Sequence, residues 1–206
     1  MSYIKFLWNS SNAHGVHSPF VFDIVYKGLS RRSRDLPRRS EEIAPVMSQK
    51  AMDVFCRILT YLRAEKLFIL GEEAATATEA IRTIGVHYNM KLWFFSPLAP
   101  IPGSIDLAYI SGTDGETLLE LITQMQPNMS NRSVCVIGNI HTSPEAEAAW
   151  ETVKNDPRVT VTIDTYHLGM VFLRHGQAKE HFMIRTTTSK VLDFILGARN
   201  LWGLLY

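Results

Sequence analysis

A chain of 206 residues is long enough for one full hydrophobic core with a small appendage. Its 46% hydrophobic and 20% charged residues are those of an ordinary globular protein, and a formal net charge of +1 gives no overall pull towards nucleic acid or an anionic membrane. Cys56 and Cys135 are the two cysteines and lie far apart, which argues against both a disulfide framework and a zinc ribbon. No apolar run approaches the roughly 20 residues that span a bilayer. Lys5 interrupts the first apolar run and no small-residue cleavage site follows, so no signal peptide is expected and a reducing cytoplasm is the expected location.

In chain order, residues 3–8 form a short aromatic-rich run and residues 9–15 a polar loop. Ser18 and Pro19 read as the N-cap and first position of a helix that continues through Phe20, Ile24 and Leu29. His14 and His17 precede it with His-x-x-His spacing. Without a third ligand nearby they read as histidines packed at a helix start, and no metal site is assigned. Arg31, Arg32, Arg34, Arg38 and Arg39 crowd the next segment, balanced by Glu41 and Glu42 and with no aromatic side chain to stack on bases. A solvated connector is expected, not a nucleic-acid contact.

Ser48 opens a helix whose core stripe is Met52, Phe55, Cys56, Leu59 and Leu62. Residues 67–70 form a short apolar run read as a strand buried on both faces. Gly71 marks a tight turn, and a helix follows from Ala74 to Ile84, with Gly85 as its expected C-cap. Strand, turn and helix in this order form the opening unit of a doubly wound α/β sheet. Strands are expected at 91–95 and 105–110, joined by the proline-rich run 96–103, too short for a crossover helix. The two strands are therefore expected to be non-adjacent in the sheet. A helix at 116–125, a strand at 134–137 and a helix opening at Ser143-Pro144 follow. Residues 159–165 and 168–173 read as an antiparallel hairpin, and 181–185 as a further strand. A helix at 189–196 and the apolar run Leu201, Trp202, Leu204, Leu205 and Tyr206 close the chain. The apolar residues at the two ends are expected to share one interface, within the chain or in a homodimer.

This pattern resembles the class I S-adenosylmethionine-dependent methyltransferases. The stretch His14-Gly15-Val16-His17-Ser18-Pro19-Phe20-Val21-Phe22 resembles the N-terminal signature of a methyltransferase-like group of Bacteroidetes-type bacteria. The stretches around Ala149-Trp150-Glu151, residues 159–165 and Gly169-Met170-Val171-Phe172 resemble its C-terminal half. The resemblance implies a Rossmann-like doubly wound, mostly parallel sheet with a C-terminal antiparallel hairpin, shortened here after the second strand. The expected organisation is an N-terminal helical segment with a basic linker (1–45), a methyltransferase-like α/β domain (46–187) and a C-terminal helix with an apolar tail (188–206).

The resemblance also implies S-adenosylmethionine as cofactor, and its binding positions fall on Gly71, Glu72, Glu73, Ala75, Ser96, Ser111 and Asn139. Several depart from the family pattern. The acidic residue before the first glycine is Ile69, the second glycine is Ala75, and two glutamates stand in the turn, where they would repel a methionine carboxylate. The ribose-holding acid of the second strand is Ser96, and the acidic positions after the next two strands fall on Ser111 and on Gly138 and Asn139. Carboxylates suit ribose because each accepts two hydroxyl hydrogens, and four loops have lost them. Two functions are therefore weighed. One is a non-catalytic relative with an eroded cofactor site and a binding or assembly role, its partner a small molecule or a protein. The other is an active methyltransferase with an atypical site, in which His141, with His14 and His17, would serve the substrate as general base. A hydrolase finds no support, since no Gly-x-Ser-x-Gly elbow and no His-Glu-x-x-His helix occurs.

Overall fold

The periodicities of the sequence become six helices and seven strands in a computed structural model that describes residues 1–30, 47–95 and 103–186. The expectations for the arginine-rich connector, the proline run with Ser96, and the C-terminal helix and tail lie outside the described residues. Helix α1 (Tyr3–Asn9) is capped by Ser2, whose side chain accepts from the Lys5 amide, so the aromatic run is helical. Helix α2 (Pro19–Asp23) begins with proline at its first position and widens into a π-helical turn at Ile24–Leu29. Helix α3 (Gln49–Leu62) starts on Ser48, which accepts from the Ala51 amide, and ends on Arg63 in the left-handed conformation (φ 49°).

Strand β1 (Lys66–Gly71) and helix α4 (Ala74–His87) form the expected strand–turn–helix unit. Gly85 does not end α4, which runs on to His87 with Tyr88 as its C-cap. The glycine has a packing reason instead: a Cβ there would lie 2.5 Å from Leu92 Cδ1, so the α4–β2 loop folds directly over it. Strand β2 (Trp93–Phe95) is short, β3 (Ile105–Ser111) and β4 (Met129–Gly138) are long, and α5 (Gly115–Met125) links them. Helix α6 (Pro144–Asn155) is capped by Ser143, as its Ser-Pro start predicts. It leads to β5 (Val161–Asp164), β6 (Leu168–Phe172) and β7 (Glu180–Met183).

All seven strands share one sheet in the order β2-β1-β3-β4-β6-β5-β7. Strand β1 is interior, parallel to both β2 and β3, so the strands flanking the proline run are separated by β1, as the short link requires. Strand β6 runs antiparallel between β4 and β5, and β7 adds in parallel to β5. The alternation of strand side chains loads both faces. Leu67, Leu107, Tyr109, Val136 and Met170 pack against α2, α3 and α4, while Phe68, Ala108, Ile110, Cys135 and Val171 pack against α5 and α6. The chain thus has a Rossmann-like doubly wound, mostly parallel sheet closed by an antiparallel hairpin. No helix among the described residues is long and apolar enough to cross a membrane.

Candidate functional site

In an open α/β sheet, ligands bind beyond the carboxyl ends of the strands, where loops lead into helix N-termini. Here these ends are Gly71 of β1, Ser111 of β3 and Gly138 of β4, which the sheet register sets side by side. Gly71 has φ +102°, and a Cβ on it would come within 1.8 Å of the Ser111 carbonyl oxygen. Its missing side chain is therefore used by the neighbouring strand, which crosses hard against it.

The chain then turns inward. Glu73, the residue before α4, is 1% exposed. Its amide donates to Ser111 Oγ at 3.0 Å, and its carboxylate oxygen Oε2 accepts a short hydrogen bond from the Tyr109 hydroxyl. The other oxygen, Oε1, is buried without a hydrogen-bond partner among the described residues. Burial, the hydrogen bond to Glu73 and the charge on its carboxylate push the Tyr109 phenol far above its usual range, so it keeps its proton and donates. Gly138 completes the enclosure: a Cβ there would lie 2.5 Å from the Tyr109 hydroxyl and 2.6 Å from Glu73 Oε2. Glu72, by contrast, is exposed and lies over Gly112, and Ala75 is exposed in the first turn of α4.

Asn139 takes the left-handed conformation (φ 59°), which asparagine tolerates. Its amide donates to the His167 carbonyl at 3.2 Å and its carbonyl accepts from Thr142. Two residues on, His141 is almost fully enclosed. Its Nε2 lies 2.7 Å from Asp164 Oδ2 at the end of β5 and its Nδ1 3.2 Å from Glu147 Oε1 on α6. His17 is exposed, and His14 belongs to a 3-10 turn at Ala13–Gly15; no group of three metal-ligating side chains forms among the described residues. The structure thus joins Gly71, Glu73 and Ser111 in one knot and sets Asn139 and His141 along the same edge. The knot's fourth member, Tyr109, was missed from sequence, because a tyrosine inside an apolar strand reads as core. Asp164 was missed for the same reason, as the last residue of an apolar strand.

On the α5–α6 side of the same edge lies a cleft of about 910 Å³. Its rim carries Glu72, Asp114, Glu116 and Glu145, and Ile137, Ile140 and Ala149 are among its apolar lining. Asp114 and Glu145 are both held below the usual carboxylate range. Hydrogen bonds from Thr117 to Asp114, and the Glu145 backbone amide together with Ser143 for Glu145, favour the charged forms. These are the ordinary electrostatics of helix N-termini.

No family model and no curated protein matches this chain. Among solved structures it is similar to a candidate caffeoyl-CoA O-methyltransferase from Staphylococcus aureus, at 7% identity and TM-score 0.46, covering 63% of this chain and 85% of that one. It is also similar to an O-methyltransferase from Bacillus cereus solved with SAH, at 11% identity and TM-score 0.37, covering 68% and 86%. A ribosomal protein L11 methylase from Lactobacillus delbrueckii subsp. bulgaricus is a third, at 13% identity and TM-score 0.32, covering 59% and 63%. At such distance the likeness bears on neither ligand nor activity, and the sheet order of this chain remains the ground for its fold.

Proposed function

We propose that this chain is a methyltransferase-like protein that does not hold S-adenosylmethionine at the β1–α4 turn and that serves in a binding or assembly role. The observation that carries this reading is Glu73. A buried carboxylate, 1% exposed, fills the turn where the resemblance would put the cofactor's methionine end, and Tyr109 and Ser111 hold it there. The residues present do not fit the cofactor. Ser111 Oγ is engaged by the Glu73 amide and buried at 1% exposure. The space that glycine leaves at Gly71 is taken by the β3 backbone. A ligand carboxylate would also meet the like charge of buried Glu73, with exposed Glu72 adding a solvent-screened share.

The alternative, an active enzyme with His141 as general base, needs a ring nitrogen able to take a substrate proton. Both nitrogens of His141 are engaged by carboxylates, which supports a structural role. Calorimetric titration with S-adenosylmethionine and S-adenosylhomocysteine tests the reading. Absence of binding up to millimolar ligand is expected. A dissociation constant near micromolar, about −8 kcal/mol, would contradict it.

A further inference from the structure

The contacts of His141 reach beyond the strand edge to the N-terminal helix. Its ring is 5% exposed and touches a carboxylate at each nitrogen, Asp164 at 2.7 Å and Glu147 at 3.2 Å. A neutral imidazole has one N–H and one lone pair, so it donates to one carboxylate and turns its lone pair on the other. The imidazolium donates to both. The Tyr166 ring stacks on His141 at 5.3 Å and 28°, and the Tyr166 amide donates to Asp164 Oδ1 at 2.7 Å. Tyr166 itself has φ 72°, a conformation that a bulky side chain adopts only when its surroundings hold it there. Helix α1 lies on that ring: Tyr3 meets it edge-on at 4.8 Å and Phe6, 1% exposed, at 5.4 Å.

We propose that the His141 imidazolium, clamped between Asp164 and Glu147 beneath Tyr166, is a proton-dependent latch that docks helix α1 on the sheet edge. Protonated, His141 ties α6 to β5, fixes the strained Tyr166 turn and so presents the ring that Tyr3 and Phe6 cover. Deprotonated, it leaves one carboxylate facing a lone pair, the turn loosens, and α1 loses its platform. Docking is therefore tight while the ring is protonated and weakens when it loses that proton.

The other charged and titratable groups facing this cluster come from several elements. Lys50 of α3 lies over the Tyr3 ring at 4.9 Å, and the amino group of Met1 contacts Glu147. His167 borders Tyr166 at 5.1 Å. Burial, then the charges of Lys50 and His141, hold it below the usual histidine range, which favours its neutral form. The Met1 amino group, which shares Glu147 with His141, is a rival switch.

Amide hydrogen exchange of α1 in the full chain tests the latch. Protection factors, already corrected for intrinsic exchange, are compared at about pH 5 and about pH 9, so that the imidazolium and the neutral ring are both sampled. Protection is expected to fall about tenfold or more with rising pH in the wild type. In Glu147→Gln a neutral imidazole satisfies both partners, donating to Asp164 and accepting from the new amide, so the pH dependence is expected to vanish while the fold persists. In His141→Gln it vanishes as well. Protein acetylated at its N-terminus should keep the wild-type response. Equal protection at both pH values in the wild type, an unchanged response in Glu147→Gln, or its loss on acetylation alone would each overturn the proposal.

Discussion

Replacing Tyr109 by phenylalanine removes one oxygen from a fully buried position and leaves the Glu73 carboxylate without its donor. Tyr109 is 0% and Glu73 1% exposed, so no solvent water replaces the lost hydroxyl. Glu73 Oε1 already has no hydrogen-bond partner among the described residues, so in Tyr109→Phe its side chain has none at either oxygen. A hydrogen bond to a charged group contributes about 1.5–3 kcal/mol, and stranding a buried charge costs about 3–5 kcal/mol. The single variant should therefore lose about 2–4 kcal/mol, a fall in Tm of roughly 4–16 °C for a chain of this size at ~2–4 °C per kcal/mol. Glu73→Leu removes the charge as well. In that background Tyr109→Phe should cost under about 0.5 kcal/mol, because neither group is then left unpaired. Chemical denaturation of wild type, both single variants and the double variant gives the coupling energy. A coupling below about 0.5 kcal/mol would refute the view that the turn is closed by this buried contact.

Gly71→Ala should fold poorly, with soluble yield or Tm falling sharply. A Cβ there meets backbone, not a flexible side chain, and the residue sits at φ +102°. Gly85→Ala should cost about 1–3 kcal/mol, since its Cβ would overlap Leu92 Cδ1 at 2.5 Å and crowd the Cγ at 3.0 Å, more than alanine's helix preference offsets; an unchanged Tm would show that Leu92 moves freely. Native Cys56 and Cys135, both pushed up to about 12 by burial, should react with a thiol reagent at pH 8 at least a hundredfold more slowly than in denaturant; comparable rates would show that these sites open.

The fold was legible because period and punctuation agree at most elements. The apolar run 67–70, bounded by Gly71, can be a two-face-buried strand and little else, and Ser-Pro at Ser18 and Ser143 marks helix starts that the structure confirms. The short proline link made β2 and β3 non-adjacent by chain geometry, and the strand pairing shows that β1 is what separates them. The aromatic run at the N-terminus was less legible. Its six residues, Tyr3 to Trp8, are too few to show a period, and their helix is held by Tyr166, far along the chain. Gly85 misled because a glycine near a helix end reads as a cap, while its actual partner, Leu92, belongs to the next loop.

Along the strand ends, positions were legible in the sequence and contacts were not. Gly71, Glu73 and Ser111 could be named from the strand ends, but whether Glu73 points to water or into the core depends on Tyr109, thirty-six residues away. The same holds for His141. Its position after a strand suggests a free base, whereas Asp164 and Glu147, brought in from β5 and α6, occupy both nitrogens. Side-chain direction at a turn is a tertiary property, and no local pattern encodes it.

The most direct measurement is a crystal structure determined with millimolar S-adenosylhomocysteine present. The account predicts that the Glu73 carboxylate stays on the Tyr109 hydroxyl and that no ligand density appears beside Gly71. Density for the ligand's methionine end against Gly71, with Glu73 swung out of the turn, would contradict it.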